Sequence, residues 1–303
     1  MKWQVILLVF LVLASAALVA LKFSFGQPGE PANVQPGNQV KTAVSNLESE
    51  LNKTPERDWK VLDPTVSSQA IIVQSLDDNF PFFRFGSSKP WPMASLTKLL
   101  TAVITLENVG LDKKVTITPD VMATQGEAGD LREGEIYTAR DLLKIMLMMS
   151  SNRAAAALEY FVGHEQFVKM MMDKARSLYM TQTTIYDASG LNDGNVSTAS
   201  DVLALLKYIL EHDPEILNDT RLSALTVQPV NSDRSHTITN IDPLSFRTDF
   251  LGGKTGTSDA AKQNLAAILS FKNRRLAVVI LGSPDRFKEA DNLLNWVGKA
   301  FGF

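Results

Sequence analysis

Residues 93–109, MASLTKLLTAVITLENV, decide how this chain folds. Their apolar side chains run around most of a helical circumference, the pattern of a helix enclosed by protein rather than one lying on a surface. Pro90 and Pro92 stand just upstream and disfavour helix there, so the helix starts close to Ser95. Before it, residues 70–74 (AIIVQ) and 80–85 (FPFFRF) are short and rich in β-formers, and Leu76-Asp77-Asp78-Asn79 between them reads as a hairpin turn. Pro81 assigns the second strand to a sheet edge or a strand start.

After the buried helix, Thr138-Ala139-Arg140-Asp141 is a capping-box pattern that opens a helix through LLKIMLMM. That helix runs up to Ser150-Ser151-Asn152, where a second helical stretch (153–161) begins. Residues 165–178 and 199–210 are amphipathic, the latter entered through Ser197, Thr198 and Ser200 as caps, and Ser189 to Gly194 form a turn-rich loop. The methionines at 146, 148, 149, 170, 171 and 172 read as packing. Residues 225–230, 236–240, 265–271 and 276–281 read as strands, with a polar turn at 272–275 and a closing helix at 288–297. Strands at both ends of the folded part, around a central helical block, imply an α/β arrangement: one sheet built from distant segments, with a helical lobe inserted.

The chain has 303 residues, 45% hydrophobic and 21% charged, with a formal charge of -3. That composition supports a folded core and gives no electrostatic reason to bind nucleic acid. It contains no Cys, hence no disulfide, thiolate metal site or cysteine nucleophile. The histidines at 164, 212 and 236 share no short ligand spacing, so no metal site is expected. Val5 to Leu21 is an apolar run flanked by Lys2 and Lys22, at the lower edge of a membrane-spanning length. Residues 1–25 therefore read as an amino-terminal membrane anchor, or as a signal segment cut near Ala14-Ser15-Ala16. Either leaves the bulk of the chain outside the cytoplasm, secreted if the signal is cleaved. Residues 26–58, rich in Pro, Gly, Gln and Asn, read as a flexible linker, and 59–303 as the folded domain.

Three short motifs occur: Ser95-Leu96-Thr97-Lys98, Ser150-Ser151-Asn152 and Lys254-Thr255-Gly256. Random order of this composition gives about 1.4 copies of S-x-x-K, about 1.2 of S-x-N and about 0.07 of K-T-G, so only the last carries weight alone. Context strengthens the set: S-x-x-K opens a buried helix, S-x-N sits at a helix joint, and K-T-G precedes an apolar strand. A serine hydroxyl needs a base, and a lysine three residues on lies on the same helical face. For Lys98 to act as that base it must lose its proton near neutrality, which burial and the nearby charge of Lys254 would favour. Alone, Ser95 could be a helix cap and Lys98 a solvent-reaching stem. The run Gly252 to Gly256 is no phosphate loop, because position 248 is Thr where that motif needs Gly. His236, on an expected strand, reads as structural.

In this order the three motifs resemble the active-site signature of the penicillin-recognising serine enzymes, the D-alanyl-D-alanine peptidases and serine β-lactamases. MASLTKLLTA, DLLKIMLMMSSNRAA, ASGLNDGNVSTASDV and DFLGGKTGTSDAAKQNLAA are similar to successive segments of the low-molecular-mass D-Ala-D-Ala carboxypeptidases, a likeness spanning residues from about 60 to 303. The resemblance implies an antiparallel sheet flanked by helices and a serine carboxypeptidase that trims peptidoglycan stem peptides, is inhibited by β-lactams and needs no cofactor. It implies Ser95 as the acylated nucleophile, Lys98 as its base and Ser150 as a proton relay. Asn152 would bind the substrate backbone, Lys254 and Thr255 the terminal carboxylate, and Gly256 would let the strand approach the ligand. The amides of Ser95 and Thr257 would form the oxyanion hole, and Arg286 would assist with the carboxylate. The stretch Tyr186 to Asn192 lacks the glutamate with which class A β-lactamases deacylate, so rapid β-lactam hydrolysis is not expected. Thr257 leaves fine specificity open. A D-Ala endopeptidase of peptidoglycan cross-links, a β-lactamase and a non-catalytic wall-binding protein remain alternatives.

Overall fold

The computed structural model describes residues 54–303. The apolar run at 5–21 and the linker up to residue 53 lie outside the described residues. The chain enters with β1 (Glu56–Arg57), β2 (Ala70–Ser75), β3 (Pro81–Phe85) and β4 (Trp91–Pro92). A 3-10 turn, Ala94–Leu96, leads into α1 (Thr97–Ile104), which ends in a π-helical turn, Thr105–Val109. The helical lobe follows: β5 (Lys114–Thr116), α2 (Pro119–Ala123), β6 (Ile136–Thr138), α3 (Ala139–Met149), α4 (Asn152–Val162) and α5 (His164–Ser177). It closes with β7 (Val196–Ser197), α6 (Ala199–His212) and α7 (Pro214–Thr220). The last part holds β8 (Ala224–Val227), β9 (His236–Thr239), a 3-10 turn Pro243–Phe246, β10 (Phe250–Ser258), β11 (Lys262–Phe271), β12 (Arg274–Ser283), α8 (Arg286–Ala300) and β13 (Phe301–Gly302).

Five strands form one antiparallel sheet in the order β10-β11-β12-β2-β3. Segments from both ends of the folded part thus share it, as the pattern of apolar runs implied. Pro81 lies in the edge strand β3, where a missing N–H is tolerated. Lys272 and Asn273 make the β11–β12 turn with φ of 45° and 61°, the left-handed pair that a two-residue hairpin requires. Both sheet faces are covered. Ile72, Ala266, Ile268 and Val279 join the core of the helical lobe, while Ile71, Val73, Val278 and Ile280 face Leu293, Trp296 and Val297 of α8. Burial on both faces explains why these strands read as continuous apolar runs rather than alternating ones. Every residue of α1 is buried, so this helix runs through the lobe rather than along its surface. Met146, Met148 and Met171 are core residues.

Several parts of the chain depart from the sequence reading. K-T-G does not precede a strand; it lies within β10, paired with β11 from Phe250 to Ser258. Its glycines and threonines hide the alternation that normally announces a strand. β8 and β9, expected among the strands of the last third, pair only with each other. They bury Val227 and Ile238 against the helical lobe and expose Thr226 and Thr237, as a one-sided hairpin should. Glu56 and Arg57 fall inside the stretch read as linker, yet they pair with Phe301 and Gly302. The Arg57 guanidinium stacks 5.0 Å from the ring centre of Trp296, a contact between residues too distant in sequence for local patterns to reveal. The short helix α7 and the β5–β6 pair went unread for the same want of length.

Candidate active site

Ser95 occupies the 3-10 turn that opens α1, and it caps no helix: its Oγ lies 2.9 Å from Lys98 Nζ. One turn of helix puts the two side chains on the same face. Lys98 is completely buried and does not reach solvent. Its amine also donates to Asn152 Oδ1 at 2.8 Å and to the Ser189 carbonyl at 2.5 Å. Asn152 opens α4, and its Nδ2 donates to Gln125 O at 3.0 Å, which turns Oδ1 toward Lys98.

The helix joint places the second motif. Ser150 ends α3 in the left-handed conformation (φ 55°), Ser151 caps α4 by accepting from Ala154 N, and Asn152 follows as the first residue of α4. Three consecutive residues thereby take three different jobs. Ser150 Oγ accepts from Lys254 Nζ at 3.0 Å across the cleft from α3 to β10. Lys254 also donates to the Thr255 carbonyl at 3.0 Å. A Cβ at Gly256 would stand 2.8 Å from Met93 O and 3.2 Å from the backbone nitrogens of Ser95 and Leu96. Glycine at this position therefore lets β10 lie directly against the nucleophile's turn, with Thr257 next along the strand.

Arg286, the first residue of α8, brings Nη1 to within 2.7 Å of both Gly256 O and Thr257 Oγ1. The structure thus brings Ser95, Lys98, Asn152, Ser150, Lys254, Gly256, Thr257 and Arg286 together through a connected set of contacts. Thr255 lies among them on β10 and is buried. Among the described residues no three His, Asp or Glu side chains converge as metal ligands.

Burial is the main electrostatic cause at both lysines. It holds Lys98 well below the ordinary lysine value, the charge of Lys254 pushes in the same direction, and Asp187 opposes both. Burial brings Lys254 down to about 8, with Asp242 opposing and Arg286 adding to the fall. The two conditions set out for Lys98 on sequence grounds, burial and a second cation, are both present in the fold.

The sequence motifs do not reveal the loop that closes the site. Asp187 Oδ1 accepts from the Ser189 and Gly190 amides, each at 2.7 Å, and its Oδ2 accepts from Asn192 N at 2.8 Å, so one carboxylate winds residues 187–192 around itself. Asn195 ties the loop to α1 through Thr97 Oγ1 and to Asp187 O. Gly190 (φ 83°) is pressed so hard on the nucleophile's turn that a Cβ there would lie 1.9 Å from Ala94 O. This packing delivers the Ser189 carbonyl to Lys98. Asn264 works from the sheet side, donating to Pro92 O at 2.8 Å and Met93 O at 3.1 Å and so pinning the segment that carries Ser95. The sequence signal available for these residues was the turn-rich run after Asp187. Asn264, inside an apolar strand, gave none beyond being polar there. His236 serves structure, its Nε2 bonded to Gly129 O at 3.1 Å.

A family model described as D-alanyl-D-alanine carboxypeptidase matches residues 61–285. A D-alanyl-D-alanine endopeptidase of Escherichia coli is 30% identical over 248 residues, covering 77% of this chain and 78% of that protein. The crystal structure of a D-alanyl-D-alanine carboxypeptidase from Mycobacterium tuberculosis superposes with a TM-score of 0.73 at 27% identity, over 80% of this chain and 96% of that one. Penicillin-binding protein D2 from Listeria monocytogenes, in a cefotaxime-bound form, does so with a TM-score of 0.68 at 28% identity, over 78% of this chain and 99% of that one. The antiparallel sheet with its helical lobe is the fold of these enzymes, and the chain belongs to the D-alanyl-D-alanine carboxypeptidase family of serine peptidases.

Proposed function

We propose that the protein is a serine-type D-Ala-D-Ala carboxypeptidase that trims peptidoglycan stem peptides through an acyl-enzyme on Ser95 and is acylated by β-lactams. The observation that carries this reading is the buried Lys98 amine 2.9 Å from Ser95 Oγ. A neutral amine has two N–H donors and one lone pair. Asn152 Oδ1 and the Ser189 carbonyl can only accept, so they take the two N–H groups and leave the lone pair for the Ser95 hydroxyl proton. Ser95 Oγ then attacks the carbonyl carbon of the penultimate D-Ala. The negative oxygen falls to the amides of Ser95 and Thr257. As the C–N bond breaks, the proton that Lys98 took from Ser95 passes to the leaving amine by way of Ser150, whose hydroxyl Lys254 holds at 3.0 Å, and Lys98 is neutral again. Water hydrolyses the ester and frees Ser95.

Lys254, Thr255 and Arg286 meet the terminal carboxylate, and the Asn152 oxygen keeps a second lone pair for a substrate N–H. β10 is paired with β11 on one edge only, so an extended peptide can lie along the other. Incubation of the full-length protein with a peptide ending in D-Ala-D-Ala should release D-Ala. Cleavage confined to cross-linked peptide dimers, with no D-Ala freed from the monomer, would replace this reading by the endopeptidase one.

The apolar run Val5–Leu21 supports tethering to the membrane with the catalytic domain on the extracytoplasmic side. The expected result is that the protein stays with membranes through alkaline carbonate washing and is degraded by protease added to spheroplasts. A mature amino terminus just past Ala16 would show instead a cleaved signal.

A further inference from the structure

Asp242 is a buried acid to which the chemistry above gives no task. It caps the 3-10 turn Pro243–Phe246, its Oδ1 accepting from Leu244 N at 3.0 Å. It is 6% exposed, and its other oxygen, Oδ2, is buried without a hydrogen-bond partner. A cap needs one oxygen only, and an asparagine or serine would cap as well. Leaving a carboxylate oxygen unpaired in the interior is costly, and such a group persists where nearby cations compensate it. The turn packs against β10, and Ile241 N donates to Met148 O at 3.0 Å, which anchors this segment to the end of α3 beside Ser150. The charged groups bearing on Asp242 are Lys254 from β10 and Arg286 from α8, while α3 meets its segment with a backbone carbonyl. These are the two cations assigned above to the substrate's carboxylate.

We propose that Asp242 is a charge-setting residue of this carboxylate site: through the interior it holds Lys254 in the ammonium form, and so fixes the alkaline edge of substrate binding. The inference rests on the reading of Lys254 and Arg286 as the carboxylate's partners. Its sign follows from the groups present. Burial brings Lys254 down to about 8, and Asp242 is the group that opposes this fall, while Arg286 adds to it. Burial pushes Asp242 up, and Lys254 and Arg286 pull it down in return, so each charge supports the other. Without the carboxylate, Lys254 loses its proton at a lower pH, and the site loses a cation where the wild type still has it. Below that range Lys254 is charged in either protein, and the site without Asp242 is the more cationic, so binding there is not weakened.

The test uses full-length protein in detergent micelles, as wild type, Asp242→Asn, Asp242→Ser and Asp242→Glu. D-Ala release from a D-Ala-D-Ala peptide and acylation by benzylpenicillin, which also carries a carboxylate, are followed from pH 5.5 to 10. In both charge-free variants the alkaline limb should move down by about one pH unit, a loss of about ten-fold above the limb, carried by KM rather than kcat. Asp242→Glu should return the limb toward the wild-type position. Limbs that superimpose on wild type, or a loss equal at every pH, would overturn the inference, as would failure of both charge-free variants to fold, since the carboxylate would then serve structure. If the peptide is inert but the penicillin limb still moves, the charge-setting role stands and the substrate reading falls. If wild type reacts with neither, both fall together.

Discussion

Replacing Ser95 by alanine is expected to abolish covalent attachment of benzylpenicillin, read as the loss of the mass adduct that the wild-type protein forms. The effect should be complete because no second nucleophile stands ready. Ser150 also carries a hydroxyl in the cleft, but its Oγ is held by the Lys254 ammonium, which donates and takes no proton. Ser95 has at 2.9 Å a buried amine whose remaining partners can only accept and which is held well below the ordinary lysine value, whereas the amine beside Ser150 comes down only to about 8. The Ser95→Ala change removes one oxygen from a turn whose position is fixed by others, namely Gly256 packed against it, Asn264 bonded to Pro92 O and Met93 O, and Gly190 pressed on Ala94 O. The variant should therefore fold and melt close to wild type. An adduct that persists and maps to Ser150 would reassign the nucleophile, and drug consumed without an adduct on the wild type would indicate rapid deacylation.

Lys98→Ala is expected to slow acylation by about 10²–10⁴-fold while leaving Ser95 in place, the range in which a positioned base contributes. The pH dependence carries the sharper signature. A base works when it is neutral, and burial together with Lys254 holds Lys98 well below the ordinary lysine value. Wild-type acylation should therefore fall as pH drops through this lowered value, while on the alkaline side substrate binding should weaken as Lys254 loses its charge near pH 8. The acid limb belongs to Lys98 and should vanish in Lys98→Ala, and the alkaline limb should remain. Acylation of the variant at the wild-type rate would remove Lys98 from the role of base.

The two kinds of limb arise at different levels of the chain. Lys98 and Ser95 are three residues apart on a helix, and helical geometry alone sets them side by side. Lys254 and Ser150 are 104 positions apart, and only the packing of β10 against the end of α3 makes them partners. Electrostatic coupling in the cleft is thus a tertiary property even where each member sits in a short motif.

What the sequence determined by itself was whatever short-range periodicity and spacing encode. The all-round apolar pattern of 93–109 specified a helix with no solvent face, and every residue of α1 is buried. Capping chemistry at Thr138 marked the start of α3, and Ser150-Ser151-Asn152 marked the joint between α3 and α4. Apolar runs marked the central strands, and three motifs in order, with the flanking segments, pointed to the family. The tertiary structure alone decided the rest. K-T-G became strand because β11 supplied a partner for a stretch with little strand propensity of its own, and Glu56 and Arg57 became strand because the far end of the chain lay beside them. Asp187, Ser189, Gly190 and Asn264 shape the site through hydrogen bonds and close approaches that follow no period. Asp242 acquires its meaning from two cations on other elements. Local pattern fixes the conformation a segment prefers, whereas a buried charge, a strained turn or a close backbone approach is settled by which distant segment occupies the neighbouring space.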